Sequence, residues 1–338
     1  LPSTLPAVEQ AGGLSRRQRL RRRAEDTVRD LGFDLIVSLS LVDPGFPERL
    51  RLAEDDPRAQ PIGITNPLSR EHSVLRTTLL AGLLDAARYN RAHGAERVAL
   101  AESGRAYLRD GEGLEGTLGG TFPGRVAAPA YEPWRIACLA TGSLPGGGWR
   151  GEAVRPDFYA LKGALEGLAA QLGCAVEVEA EPEPFLHPGR AGRVVVGGEP
   201  AGWIGELHPL VCRRWDLEEA AGFEVDLAPL VAASPIGAEQ YDDVISYPAV
   251  HQDIAVVVGE EVEAARVTAA VASAGGELLR SVEIFDLYRG EQVGEGSKSL
   301  ALRLEFRAAD RTLTDEEAAA VRERIKAGLA EIGGSLRE

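Results

Sequence analysis

Apolar and polar positions along the chain divide it into helices and strands. In SRRQRLRRRAEDTVRDLGF, Leu20, Ala24, Val28 and Leu31 fall on one helical face, with Ser15 placed to cap the start and Gly32 to stop the end. A strand is predicted over Asp34 to Val42. In NPLSREHSVLRTTLLAGLLDAARYNRAHG, a short extended piece ends near Thr77. A helix then turns Leu79, Leu80, Leu83, Leu84 and Ala87 inward and runs towards His93, with Gly94 as its stop. Strands follow over Arg97 to Asp110 and Trp134 to Ser143, and a second amphipathic helix covers Asp157 to Leu172. Val176 to Glu179, Arg193 to Val196 and Ala201 to Glu206 read as further strands, and AGFEVDLAPLVAA closes the region near Ala233. This order predicts an α+β fold, a largely antiparallel sheet flanked by helices.

A boundary falls in SPIGAEQYDDVISY, and the pattern beyond it is more regular. HQDIAVVVG is a strand, EVEAARVTAAVASAGG a helix ending at Gly275-Gly276, and ELLRSVEIFDLYRG with SKSLALRLEFRA a hairpin. A helix over RTLTDEEAAAVRERIKAGLAEIG carries Thr314 and Glu317 at capping-box spacing, and GGSLRE closes as a strand. The sequence β-α-β-β-α-β is that of a ferredoxin-like domain. The expected domains are an extended lead-in over 1–13, a core over 14–235, a linker over 236–246 and the ferredoxin-like domain over 247–338.

Within the hairpin, period-2 alternation places Phe285 and Leu287 on one face and Asp286 and Tyr288 on the other. Two readings of the second face stand open. It is either an ordinary solvated sheet surface or a platform for a flat, hydrogen-bonding ligand such as a nucleobase.

Composition narrows the choice. Apolar residues at 44% and charged residues at 26% describe a globular protein, and no apolar run approaches the ~18–20 residues of a bilayer span. The net charge of −15 argues against non-specific binding to nucleic acid, although basic residues grouped on one surface can still make local RNA contacts. Cys138, Cys174 and Cys212 suggest neither a disulfide framework nor a zinc site, and no two of the five histidines share ligand spacing on a helix. No metal is expected. The chain holds no methionine, so Leu1 reads as the start of a fragment or processed product.

Motifs of common site chemistries are missing: no P-loop or G-x-G-x-x-G opening a helix for a nucleotide, no nucleophile elbow for acyl transfer, no H-E-x-x-H for zinc. The glycine-rich GSLPGGGWRG, Gly142 to Gly151, lacks the lysine and following helix of a phosphate cradle and reads as a loop. The six arginines from Arg16 to Arg23 fit a solvated helix face, an acidic partner or an RNA contact.

NPLSREHSVLRTTLLAGLL, DFYALKG, HPGRAG (His187 to Gly192), GWIGELHP (Gly202 to Pro209), YPAVHQDIAVVV, IFDLYRG, GSKSLALRL and RTLTDEE occur in series along almost the whole chain. Together they resemble the β chains of bacterial phenylalanine–tRNA ligases. The resemblance implies a class II synthetase-like antiparallel core followed by an anticodon-binding ferredoxin-like domain. It implies a catalytic α subunit and tRNA(Phe) as partners in an α2β2 heterotetramer in the cytoplasm, with no membrane or DNA partner. The family's preceding tRNA-binding, editing and magnesium-holding domains lie before LPSTLP, so their functions are not expected here.

Class II sites hold ATP with an arginine in a strand motif resembling F-R-x-E and another in a glycine-rich strand–helix motif, because planar guanidinium groups bind phosphate bidentately. The first motif is matched by GRAYLRD, where Tyr107 and Asp110 take the aromatic and acidic places and Leu108 replaces the arginine. Arg109 points to the opposite strand face. The second would fall in AAGFEVDLAPLVAA, which has no arginine and no glycine pair. The resemblance therefore implies no catalytic residue and no cofactor in this chain, with ATP and magnesium acting at the holoenzyme. GFDLIVSLSLV and NPLSREHSVLRTTLL resemble the elements at which class II cores associate. By the same resemblance, Asp286, Tyr288 and Ser299 match anticodon-reading positions. Arg289, Lys298, Arg303 and Arg307 are phosphate candidates around them. His251-Gln252 departs from the basic residues common before the first strand's D-I/L-A. A free-standing RNA-binding or regulatory protein reusing both folds, and an enzyme with its own adenylation activity, are the competing readings.

Overall fold

A computed structural model describes residues 12–109, 130–144, 153–235, 245–294 and 296–337. Asp110, most of the predicted lead-in, most of the glycine-rich loop and most of the predicted linker lie outside the described residues. The chain forms two compact units, Leu1–Gly237 and Ala238–Glu338.

The first unit runs α1 (Arg16–Asp30), β1 (Asp34–Leu35), β2 (Leu41–Val42), α2 (Phe46–Arg49), β3 (Val74–Leu75), α3 (Leu80–Ala92), β4 (Val98–Arg105), β5 (Leu108–Arg109), β6 (Ala130–Tyr131) and β7 (Trp134–Thr141). It continues with α4 (Phe158–Gln171), β8 (Glu177–Ala180), β9 (Leu186–Val196), β10 (Glu199–Leu207), α5 (Pro209–Arg214), β11 (Ala221–Asp226) and α6 (Leu227–Ala233). Seven strands make one sheet in the order β1-β4-β7-β11-β10-β9-β8. β1 lies parallel to β4, and the remaining neighbours are antiparallel.

Both faces are covered, which is why β7 is apolar nearly throughout. Ala24 and Val28 of α1 and Leu161, Leu165 and Leu168 of α4 pack with Ala101 and Cys138 on one face. Leu80, Leu83, Leu84 and Ala87 of α3 pack with Leu100, Ala137 and Leu139 on the other. Each fully buried leucine contributes about 1.5–3 kcal/mol relative to exposure. Ser15 starts α1 through a capping box: its hydroxyl accepts from the Gln18 N–H at 3.3 Å, and the Gln18 Oε1 accepts from the Ser15 N–H at 2.8 Å.

The predicted strand from Asp34 to Val42 divides in two. After Leu35 one more backbone bond reaches the sheet, from the Ile36 N–H to Ala101 O at 2.8 Å, and Val37 and Leu39 stand exposed before Leu41 pairs with Leu75 in a separate ribbon. Strand β9 begins at Leu186, earlier than Arg193, so HPGRAG is part of it.

The second unit runs β12 (Val250–Gly259), α7 (Ala264–Gly275), β13 (Leu279–Tyr288), β14 (Ser297–Phe306), α8 (Asp315–Glu331) and β15 (Ser335–Arg337). Its antiparallel sheet has the order β13-β14-β12-β15, the ferredoxin-like arrangement. Leu300, Leu302, Leu304 and Phe306 alternate onto one face, where Val267 and Val271 of α7 and Val321, Ile325 and Leu329 of α8 cover them. Both helices lie on that face, and the opposite face is built from the intervening residues.

Candidate nucleic-acid interface

The register of the four strands sets that open face out in rows. Tyr288, Ser299, Val257 and Ser335 form one row; Asp286, Ala301, Ala255 and Arg337 form the next; Glu283, Arg303 and Asp253 form the third. Tyr288 is 40% exposed and Ser299 only 5%, so the serine is the floor of the row between tyrosine and valine. The Tyr288 phenol passes so close over Gly290 that a Cβ there would overlap the ring and its oxygen; only glycine leaves room for this placement. One Asp286 carboxylate oxygen accepts from the Leu287 N–H at 2.9 Å.

The expected alternation fails at Phe285. The ladder shifts between Ile284 and Asp286, leaving Phe285 as an extra residue in a β-bulge. Its ring lies under the Arg303 guanidinium, 5.0 Å from ring centroid to guanidinium carbon, on the same face as Asp286 and Tyr288. Phe285 therefore departs from the expected pairing with Leu287.

The basic candidates are already engaged. Arg303 donates from Nε and Nη2 to the two Asp253 carboxylate oxygens at 3.0 and 3.1 Å. That hydrogen bond holds the Asp253 carboxyl below the usual carboxylate range. Arg289 donates to Glu260 Oε1 from Nε and Nη2 at 2.9 and 2.7 Å, and Lys298 Nζ donates to Glu260 O at 2.8 Å. Lys298 pairs with Val258 in the register, a row facing the helices, so it sits at the sheet's end rather than among the open rows. Arg307 lies 3.8 Å from Glu305. The sequence pattern places Phe285 on the other face and gives Asp253 and Glu260 no role. An aspartate in a strand core, opposite an arginine in the hairpin, was the one available signal.

In the first unit, the corresponding chemistry lies inside. Glu102, Ala137, Glu224 and Trp203 form a row across β4, β7, β11 and β10. Glu102 is 1% exposed; it accepts from Arg76 Nη1 at 2.6 Å and from the Ser38 hydroxyl at 2.6 Å. Arg76 lies against Gly104, where a Cβ would overlap its Nη2. Glu224, 2% exposed, accepts from Arg135 Nη1 at 2.8 Å, the Thr78 hydroxyl at 2.5 Å and the Leu79 N–H at 3.0 Å. Arg135 also donates to Asp226 at 2.6 Å. Burial opposes its charge, but Glu224 and Asp226 outweigh burial and hold its pKa above the usual arginine value.

Leu108 lines a groove of about 610 Å³ together with Asp55, Asp56, Pro57, Arg58 and Pro184. Arg58 Nη2 is held at 2.7 Å by both Asp56 and Glu183. Arg109 turns away to the carbonyls of Gln60 and Pro61 at 3.2 and 3.3 Å. Arg58, Arg76 and Arg135 are each bonded to carboxylates, which oppose phosphate. Among the described residues, no group of three His, Cys, Asp or Glu side chains could hold a metal ion, and no helix is long and apolar enough to cross a membrane.

The two units thus define an α+β protein with a large antiparallel core and an open-faced ferredoxin-type domain. Residues 1–227 match the family described as phenylalanyl-tRNA synthetase beta chain CLM domain, and residues 246–337 match the ferredoxin-fold anticodon binding domain. The chain belongs to the phenylalanyl-tRNA synthetase β-chain family. It is 39% identical to the phenylalanine–tRNA ligase beta subunit of Geobacillus kaustophilus, with 99% of this chain and 40% of that protein aligned. Identity is also 39% with the beta subunit of Symbiobacterium thermophilum, over 100% of this chain and 36% of the relative. With that of Streptomyces avermitilis it is 37%, over 100% and 42%. The chain spans about 40% of the length of the relatives it matches.

Proposed function

We propose that this chain is the framework and anticodon-binding part of a phenylalanine–tRNA ligase β subunit, working in the cytoplasm. Its first unit packs against a catalytic α subunit in an α2β2 assembly. Its second unit binds the anticodon of tRNA(Phe), with Asp286 and Tyr288 meeting unpaired bases over the Ser299 floor. ATP and magnesium act at the α subunit, and this chain supplies binding and geometry. One observation carries the assignment: among the described residues, Arg76 and Arg135 at the sheet face and Arg58 at the groove are each bonded to carboxylates, which compete with a triphosphate for their guanidinium groups.

The open sheet face supports the RNA-binding half of the reading. A tyrosine ring stacks on an unpaired base for ~1–3 kcal/mol, and a carboxylate can accept from a guanine's ring and amino N–H groups. The exposed Val37 and Leu39, beside the sheet edge at β1, support association through that segment. Purification with a class II catalytic chain from the native cytosol should show the assembly. Tyr288→Ala in that complex should weaken tRNA(Phe) binding by ~1–3 kcal/mol and leave phenylalanyl-adenylate formation nearly unchanged. Unaltered tRNA affinity would remove Tyr288 from the site. Recovery of RNA without any catalytic chain would favour a free-standing RNA-binding protein.

A further inference from the structure

Phe285, Arg303 and Asp253 form a unit on the open face that phosphate binding does not explain. Both donor nitrogens that Arg303 directs at Asp253 are occupied, at 3.0 and 3.1 Å, in a side-on fork. The fork fixes the plane of the guanidinium, and the bulged Phe285 ring supports it at 5.0 Å from the ring centroid. Arg303 and Asp253 side chains are each 50% exposed and Phe285 is 48% exposed, so the assembly is open to a ligand.

We propose that this unit is a second base-stacking subsite, in which an unpaired nucleobase lies on the Arg303 guanidinium plane. The inference rests on the anticodon-binding reading and deepens it. A guanidinium plane is a stacking surface for splayed-out bases. A cation whose charge is already matched by a carboxylate adds little counterion release, so its use is as a surface rather than as a phosphate contact. The Phe285 ring attracts the cation's inner face through its quadrupole and limits rotation about the side chain.

The subsite is distinct from the Tyr288 platform. Ser299 and Arg303 are four positions apart on β14, roughly 14 Å along the strand. Between them Ala301 and Ala255 form a low floor, with Asp286 beside it in the same row. Tyr288 and Arg303 therefore serve different bases.

The test uses the full chain and a fluorescent tRNA(Phe) anticodon stem-loop, with abasic sites placed singly through the loop. Arg303→Lys keeps the charge but removes the plane. It should weaken binding by about 5- to 150-fold, as much as Arg303→Ala does. Phe285→Leu should weaken binding less, and Phe285→Tyr should restore it. Asp253→Asn, which removes a negative charge from the face, should also weaken binding. One abasic position should cancel the effect of Arg303→Lys, and a different one the effect of Tyr288→Ala. Wild-type affinity in Arg303→Lys, or tighter binding in Asp253→Asn, would show a simple charge contact and overturn the subsite. Loss by Tyr288→Ala with no loss by Arg303→Lys refutes the subsite and leaves the anticodon reading intact. No effect from either variant refutes both. Unchanged thermal unfolding of Phe285→Leu confirms that binding, not folding, is being read.

Discussion

At the residue scale, two carboxylates inside the first unit decide what its sheet face can do. Glu102 and Glu224 are nearly inaccessible, and each is met by an arginine and a hydroxyl. A buried charge left without its partner is costly. Arg76→Met should lower stability by about 3–5 kcal/mol in denaturant unfolding, and adding Glu102→Gln should recover much of that loss. A small effect of Arg76→Met alone would contradict a stabilising role for the buried pair. On the open face of the second unit, the Arg303 hydrogen bond lowers the Asp253 pKa. A depressed carboxylate contributes stability above its unfolded pKa, roughly 4, and loses that contribution as the pH falls through its folded value. The Asp253 carboxyl followed by NMR should titrate below the usual range, and Arg303→Gln should return it upward. An unmoved midpoint would contradict the fork.

At the scale of elements, helix α8 shows how local chemistry sets a boundary. The Thr314 N–H donates to Glu317 Oε2 at 3.0 Å, and the Glu317 N–H donates to Thr314 Oγ1 at 3.3 Å. Thr314→Ala should cost about 1 kcal/mol, seen as faster hydrogen exchange in the first turn of α8 with little change in α7. Equal loosening of both helices would mean that the box acts through the whole unit. This cap, the leucine spacing of α3 and the β-α-β-β-α-β order were legible because each is written within one short stretch. The bulge at Phe285 was not, since neither glycine nor proline marks it and the extra residue is defined only by the partner strand. The first half of β9 is hidden in the sequence, since Pro188 and Gly189 argue against a strand. In the fold β8 pairs only with Gly192 to Val195, so Pro188 lies where one neighbour is absent and its missing N–H is tolerated. Short helices α2 and α5, each with proline in the first turn, are too brief for a hydrophobic period to show. The interior pairs were equally hidden, because Arg76 and Glu102 meet through chain folding rather than through any helical or strand repeat.

At the scale of the whole molecule, the two units divide two kinds of surface between them. The first covers both sheet faces with helices and matches its inward cations with carboxylates. The second covers one face and leaves aromatic and acidic side chains, with the carboxylate-paired Arg303, on the other. A net charge of −15 suits recognition by stacking and base edges more than by a general phosphate surface. The most direct test is ATP–pyrophosphate exchange with phenylalanine, performed on this chain alone and again with the class II catalytic chain proposed as its partner. The expected result is no exchange from the chain alone and full exchange from the pair. Phenylalanine-dependent exchange by the isolated chain would contradict a framework role and place a working nucleotide site among its own residues.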